Sequence, residues 1–333
     1  MTDDAEYGRR APHADRLEQA ARAAWLYYIG GRTQDEIAAE LTISRQAAQR
    51  LVSLALAEKL IKFRVDHPIA ACMELGHALT ERFRLRHCEV VPAAGADLGL
   101  TNVAVAGARH LERWFAQKAP LVLAVSTGRT LRAIAAELSP MAAPQHKVFS
   151  LCGIIAANGR AIATEPVMRM AERTGAQCYP MPLPVVVETV AECRSLQSQR
   201  AFHTLRALLD DCRCAMVGVG HVGWQAPLHA SGCISDGELT ELIEAGAVGE
   251  IAGWSFDAGG RMIQGLVNDR ATGLAVAANA VRVTVVVGAG PAKVLALRAA
   301  LLGELGNAII TDEPTAAAIL GTGRSNLTRS DRF

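Results

Sequence analysis

Apolar positions set the elements of this chain, and their spacing changes along it. Between Thr33 and Val52, Ile37, Ala38 and Leu41 recur at helical spacing, then Ala47, Ala48, Leu51 and Val52 do so again. Thr33 suits a helix N-cap, and Glu36 three residues on completes a capping box. Thr42 and Ile43 form the break, and Ser44 caps the second helix. The pattern predicts two short helices and a tight turn that leave Arg45, Gln46, Gln49 and Arg50 toward solvent. Upstream, Leu17, Ala21, Ala24, Trp25 and Tyr28 define one side of a helix closed by Gly30–Gly31, with Trp25 as its expected core anchor. Downstream, Leu60–Pro68 alternates apolar and basic residues, as a short wing strand would, with Lys62 and Arg64 projecting.

Beyond Pro68 the rhythm changes. A helix is expected over Pro68–Phe83, a short strand at Cys88, and a helix over 101–118. Apolar strands follow at Leu121–Val125, Lys147–Leu151, Ala215–Val219, Val283–Val287 and Ala308–Thr311, with a terminal helix from about Thr315. Strands apolar throughout and alternating with helices predict a parallel sheet covered on both faces. The expected organisation is a flexible tail at 1–14, a helix-turn-helix unit at 15–66, an α/β domain at 67–321 and a flexible tail at 322–333.

Composition narrows this picture. The chain has 333 residues, half of them apolar and 5% aromatic, which suits helices on a parallel sheet. Its formal net charge of +1 excludes bulk binding of a polyanion. A nucleic-acid contact needs a local basic surface, and Arg45, Arg50, Lys59, Lys62 and Arg64 supply one against the single acid Glu58. Arg pairs with guanine edges and phosphates, Gln with adenine edges, so an exposed Arg45-Gln46-Gln49-Arg50 face at the start of a helix suits the major groove. Gln34, beside the Thr33 cap, joins this candidate DNA surface; the alternative is a plain amphipathic hairpin. The eight cysteines show no CxxC spacing and no secretory signal precedes them, so reduced thiols in the cytoplasm are expected, with no metal site. No run approaches the ~20 apolar residues of a membrane span.

The chemistry is expected in loops at strand ends. Ser126-Thr127-Gly128-Arg129-Thr130 joins a strand to a helix, so small residues, a helix N-terminus and a guanidinium coincide, as in a cradle for a phosphate or polyol hydroxyls. An ordinary strand-helix turn is the alternative. Gly218-Val-Gly220-His221-Val-Gly223 formally matches GxGxxG, but Trp224 and Pro227 stand where the helix of a dinucleotide fold should run. These glycines are expected instead to line the same pocket with backbone donors. Gly288-Ala-Gly290-Pro291-Ala-Lys293 is a strand-to-helix turn without P-loop spacing, placing Lys293 within reach of an anion. Asp257, among glycines, would accept hydroxyl hydrogen bonds or close an Asx turn.

These stretches also carry a resemblance. WLYYIGGRTQDEIAAELTISRQAAQRLVSLALAEKLIKF followed by HPI at 67–69, VLAVSTGRTLRAIAAEL at 122–138, GAVGEIAGWSFDAGG at 246–260 and VVVGAGPAKVLALRAALLGELGNAIITDEPTAAAIL at 285–320 resemble SorC-type sugar-responsive transcription regulators, over about 15–321. The resemblance implies a winged helix-turn-helix joined to a Rossmann-like α/β effector domain, similar in fold to sugar-phosphate isomerases and deaminases. It implies homo-oligomers, usually tetramers, that bind double-stranded operator DNA and answer to a sugar, polyol or sugar phosphate, with no cofactor. Its ligand cradle maps onto Ser126–Thr130, and its polar contacts onto Asp257 and Lys293. Many relatives carry an Asn-Gly-Gly loop where this chain has Leu151-Cys152-Gly153-Ile154, so Cys152 and Gly153 are candidate contacts whose hydrogen bonding differs. The rival is an enzyme on the same scaffold, with Asp257 and His221 as its acid-base pair; a weaker one is a nicotinamide-dependent dehydrogenase.

Overall fold

A computed structural model of the chain describes residues 12–58, 60, 68–93, 98–156, 159–161, 166–276 and 281–321. The chain divides into two compact units, residues 1–66 and 67–333.

The first unit contains α1 (Pro12–Tyr28), α2 (Gln34–Glu40) and α3 (Arg45–Ala57). The Thr33 hydroxyl accepts from Glu36 N–H at 3.3 Å while Thr33 N–H donates to the Glu36 carboxylate at 2.8 Å, so the capping box is formed. Ser44 caps α3 by accepting from Ala47 N–H at 3.2 Å. Between them Thr42 adopts φ 56°, a left-handed conformation that ends α2 and redirects the chain. Ile37, Ala38, Ala48, Leu51, Val52 and Ala55 pack on Ala20, Ala23, Ala24 and Leu26. The α1 face therefore differs from the expected one. Trp25 is 57% exposed and Ala21 also faces solvent, because alanines at 20, 23 and 24 let α1 approach α3 more closely than an indole would. Helix α1 also starts at Pro12, inside the stretch expected to be a tail. Lys62 and Arg64 of the expected wing lie outside the described residues.

The second unit runs α4 (Pro68–Phe83), β1 (His87–Val91), α5 (Leu98–Phe115), β2 (Val122–Val125), α6 (Arg129–Glu137), β3 (Lys147–Ser150), α7 (Pro166–Thr174) and β4 (Gln177–Tyr179). It continues with α8 (Val190–Gln197), α9 (Arg200–Asp211), β5 (Cys212–Gly218), β6 (Gly220–His221), α10 (Pro227–Ala230), α11 (Asp236–Glu244), β7 (Ala247–Ile251) and β8 (Trp254–Asp257). It closes with β9 (Val283–Val287), α12 (Val294–Leu302), β10 (Ala308–Asp312) and α13 (Glu313–Gly321).

One sheet has the order β1-β10-β9-β5-β2-β3-β4, and every pairing in it is parallel. Alternate residues of its strands feed two separate cores. Ala124, Phe149, Ala215, Val217, Val286 and Ile309 join one; Leu123, Val125, Val148, Met216, Val285 and Ile310 join the other. This two-sided burial is why the inner strands are largely apolar on both faces rather than alternating. From β2 the chain moves outward through β3 and β4, then returns to place β5 on the other side of β2. The winding reverses between β2 and β5, and in such sheets a crevice opens beyond the strands' carboxyl ends at that point. A smaller antiparallel sheet, β6-β7-β8, grows from the end of β5.

Candidate functional site

That crevice is occupied by a cavity of about 420 Å³. Thr127, Gly128, Arg129, Thr130 and Leu131 line it from the end of β2 and the start of α6. Gly218, Val219 and Gly220 line it from the end of β5, and Lys293 from the turn after β9. Glu250 enters from β7, Gln225, Pro227, Ala230 and Ser231 from the segment around α10, and Arg160 from the stretch after β3.

Local backbone geometry makes this a polar cradle. Gly128 is the N-cap of α6 at φ 125° and offers no side-chain cap, so the first N–H groups of the helix stay open. Gly290, at φ 107°, begins the short 3₁₀ turn Pro291–Lys293, where proline brings no N–H and Lys293 N–H donates to Gly290 O at 3.0 Å. By contrast, α2, α3, α8 and α11 all have their N-termini capped by Ser or Thr side chains. Open donors at a helix N-terminus favour an anion or an oxygen-rich ligand.

Three titratable groups bear on the site. Burial pushes the Glu250 carboxyl above its ordinary range, opposed by Gly253 N–H, which donates to it at 3.0 Å, and by Lys293. Burial pushes Lys293 down, Arg129 adds to that, and Glu250 opposes it. Each is driven toward neutrality by desolvation and drawn back by the other's charge. His221 is lowered by burial, then by Lys293 and Arg129, and its Nδ1 is buried with no hydrogen-bond partner among the described residues. The cavity thus combines three cationic side chains, Arg129, Arg160 and Lys293, with one carboxyl, Glu250. Such a set suits a ligand carrying an anionic group and several hydroxyls.

Not every candidate residue reaches this cavity. Thr127, Gly128, Arg129, Thr130, Gly218, Gly220 and Lys293 line it together. Ser126 lies beneath it, 1% exposed, its hydroxyl accepting from Gly218 N–H at 2.9 Å and so tying the β2 loop to the β5 loop. Gly288 lies under the stem of Lys293, whose Cδ would stand 3.2 Å from a Cβ built there. Cys152 is buried and Gly153 packs against the backbone of Leu183 and Pro184; neither lines the cavity. Asp257 closes a turn, accepting from Gly259 N–H at 2.8 Å, Arg261 N–H at 3.0 Å and Arg261 Nε at 3.0 Å. Asp257 is absent from the cavity lining and its carboxylate is taken up by Gly259 and Arg261, with no hydrogen bond to His221 among the described residues, so the acid-base pair of Asp257 with His221 is not assembled. Nor does Gly218–Gly223 open a helix: the chain passes from β5 into the antiparallel β6, so GxGxxG lacks its strand-turn-helix setting. Glu250 was the residue the sequence concealed. Its signal is a lone acid between Gly249 and Ile251 in a strand of otherwise small and apolar residues.

In the first unit, Arg45, Gln46, Gln49 and Arg50 are all exposed on α3. Arg45 Nε stands 3.6 Å from Asp35, and Arg50 Nε donates to Gln46 O at 3.2 Å. The side chains of Thr33 and Ser44 are engaged in their caps, and Gln34 is half-buried at the start of α2. Among the described residues, no cluster of three or more His, Cys, Asp or Glu could hold a metal, and no helix is long and apolar enough to cross a membrane.

Residues 67–321 match the family model described as "Putative sugar-binding domain". The chain belongs to this sugar-binding domain family. It is 33% identical over 303 residues to the erythritol catabolism regulatory protein EryD of Brucella abortus, covering 91% of this chain and 96% of that protein. It is 30% identical over 312 residues to the transcriptional regulator LsrR of Klebsiella pneumoniae, covering 91% and 93%. In fold it is similar to the full-length sorbitol operon regulator SorC from Klebsiella pneumoniae, with a TM-score of 0.67 at 20% identity over 92% of this chain and 99% of that one. A sugar-binding regulator domain from Arthrobacter aurescens gives a TM-score of 0.66 at 24% identity over 75% and 97%. Members of this family similar over nearly the full chain are transcriptional regulators.

Proposed function

We propose that the chain is an effector-responsive transcription regulator of carbohydrate or polyol catabolism. Its DNA affinity is set by what occupies the cavity between the ends of β2, β5 and β9. The observation that carries this reading is the cavity at the sheet's switch point, with the open N-terminus of α6, Arg129, Lys293 and Glu250 converging on it. In this reading the α6 start and the two cations hold an anionic or oxygen-rich end of the ligand, and Glu250 accepts from its hydroxyls. The relation to a regulator of erythritol catabolism favours a small polyol or its phosphate.

DNA binding is assigned to α2, its turn and α3. Arg45, Gln46 and Gln49 would read base edges and Arg50 a phosphate, as the exposed start of a recognition helix does. Such proteins read two half-sites one or more helical turns apart, so a homo-oligomer, a tetramer by family resemblance, working in the cytoplasm completes the proposal.

The test is a thermal-shift panel of sugars, polyols and their phosphates on the purified chain. A ligand at a hundredfold excess over its dissociation constant stabilises by about 2.7 kcal/mol, a readily measured shift. Stabilisation by phosphates alone assigns the Thr127–Thr130 loop to an anion, and stabilisation by free polyols alone assigns it to hydroxyls. A flat response across the whole panel would overturn the reading.

A further inference from the structure

The cavity's lysine is held by residues outside the cavity lining. Lys293 N–H donates to Gly290 O at 3.0 Å, and the lysine stem lies over Gly288. Both glycines are in turn anchored to the last strand and helix. Thr311, fully buried, donates its hydroxyl to Gly288 O at 2.7 Å. Thr315, 2% exposed, accepts Gly290 N–H at 2.9 Å. Thr315 is fixed on α13 by its own N–H, which donates to the buried Asp312 carboxylate at 3.0 Å.

Helix α13 continues the connection. It packs on α4, with Ala316 and Ile319 in the same core as Cys72 and Leu79. At its far end Leu320 O accepts from Arg82 Nη1 of α4 at 2.8 Å. Helix α4 is the element that follows the first unit in sequence.

We propose that Thr315 is a positioning residue for the ligand site, whose bond to Gly290 couples the state of Lys293 to α13 and through it to α4. The proposal rests on the regulator reading of the cavity and names its route of regulation. A ligand that draws Lys293 toward an anion shifts the Gly288–Lys293 turn, and the Thr315 hydroxyl is the polar link by which α13 follows. Coupling of this kind is a free energy between two places, so it is measurable by perturbing one place and reading the other.

The experiment needs neither the ligand nor the operator. Amide hydrogen exchange is measured on the full chain as a cycle of Lys293→Gln and Thr315→Val, with Thr315→Ser as the variant that keeps the hydroxyl. Loss of one hydrogen bond should speed exchange of Gly290 N–H on the order of fivefold in Thr315→Val, and Thr315→Ser should restore it. Lys293→Gln should change exchange in α13 and α4 in the parent and in Thr315→Ser, and should leave both helices unchanged in the Thr315→Val background. A merely structural threonine would raise exchange throughout the unit and leave the effect of Lys293→Gln intact, which would overturn the proposal. An effect of Lys293→Gln confined to residues 288–293 in the parent would overturn it too. Should Thr315→Val not fold, Thr315→Ala serves as the hydroxyl-free variant with the same two outcomes. Because no ligand is used, failure here leaves the thermal-shift result standing, and a flat thermal-shift panel leaves this result standing.

Discussion

Gly220→Ala, in the cavity lining, displaces the Glu250 carboxyl. Gly220 lies in β6 directly opposite Glu250 in β7. A Cβ built on Gly220 falls 2.1 Å from Glu250 Oε1, 2.9 Å from its Cδ and 3.1 Å from its Cγ. The obstructed atoms belong to the end of a flexible side chain, so the carboxyl swings away and the strand keeps its place. Leaving breaks the bond from Gly253 N–H at 3.0 Å. A hydrogen bond of this kind is worth about 1–3 kcal/mol, which converts to a roughly 5- to 150-fold rise in ligand Kd when hydroxyl recognition moves with the carboxyl. Fold stability should also fall, by up to about 1–3 kcal/mol because Gly253 N–H loses its acceptor, partly offset because alanine suits a strand better than glycine. Isothermal titration with the strongest stabiliser from the thermal-shift panel measures the loss, with Glu250→Gln in parallel and melting temperature as the control. A Gly220→Ala protein that binds within twofold of the parent would remove Glu250 from ligand recognition.

Other consequences follow from the same geometry. Ser126→Ala leaves Gly218 N–H without its acceptor and should cost about 1–3 kcal/mol in urea denaturation; it should also weaken ligand binding although Ser126 lies outside the lining. Arg45→Ala should weaken operator binding by about 1–3 kcal/mol in fluorescence anisotropy, with ligand affinity unchanged because Arg45 belongs to the other unit. His110 is lowered from 6.5 to about 4 by burial, then by His87 and Arg113. Its folded pKa lies below the unfolded one, so the unfolded state takes up the proton first; stability is unaffected above the unfolded value and falls as pH drops from 6.5 toward 4. The loss amounts to about 3 kcal/mol, and His110→Gln should flatten that part of the pH–stability curve.

Much of this architecture was legible because the inner strands of the large sheet are buried on both faces. Runs such as Val283–Val287 carry that burial in their composition, so strand, order of alternation and fold class could be read directly. The small β6-β7-β8 sheet could not, since Gly220–His221 is two residues long and Ala247–Ile251 alternates small with half-buried positions. The edge strand Gln177–Tyr179 was missed for a similar reason: it is short and largely exposed. In the first unit the caps at Thr33 and Ser44 were legible because capping is local chemistry. Trp25 was misplaced because helical spacing gives a face only to within a residue, and three alanines outcompeted one indole for close packing. The loops at 126–130 and 288–293 that border the cavity announced themselves by glycine and position. Their partner carboxyl did not, because Asp257 among glycines and Glu250 in a strand look alike until backbone pairing places one in a turn and the other across from Gly220.

Ligand in the cavity should alter DNA affinity. The direct measurement starts from a random duplex library selected on the purified chain. Anisotropy titrations of the enriched sequence follow, with and without saturating stabiliser from the thermal-shift panel. The account predicts an enriched two-half-site sequence whose Kd changes at least about fivefold with ligand, within the usual range of allosteric coupling. An enriched sequence bound equally well in both conditions, or no enrichment at all, would contradict it.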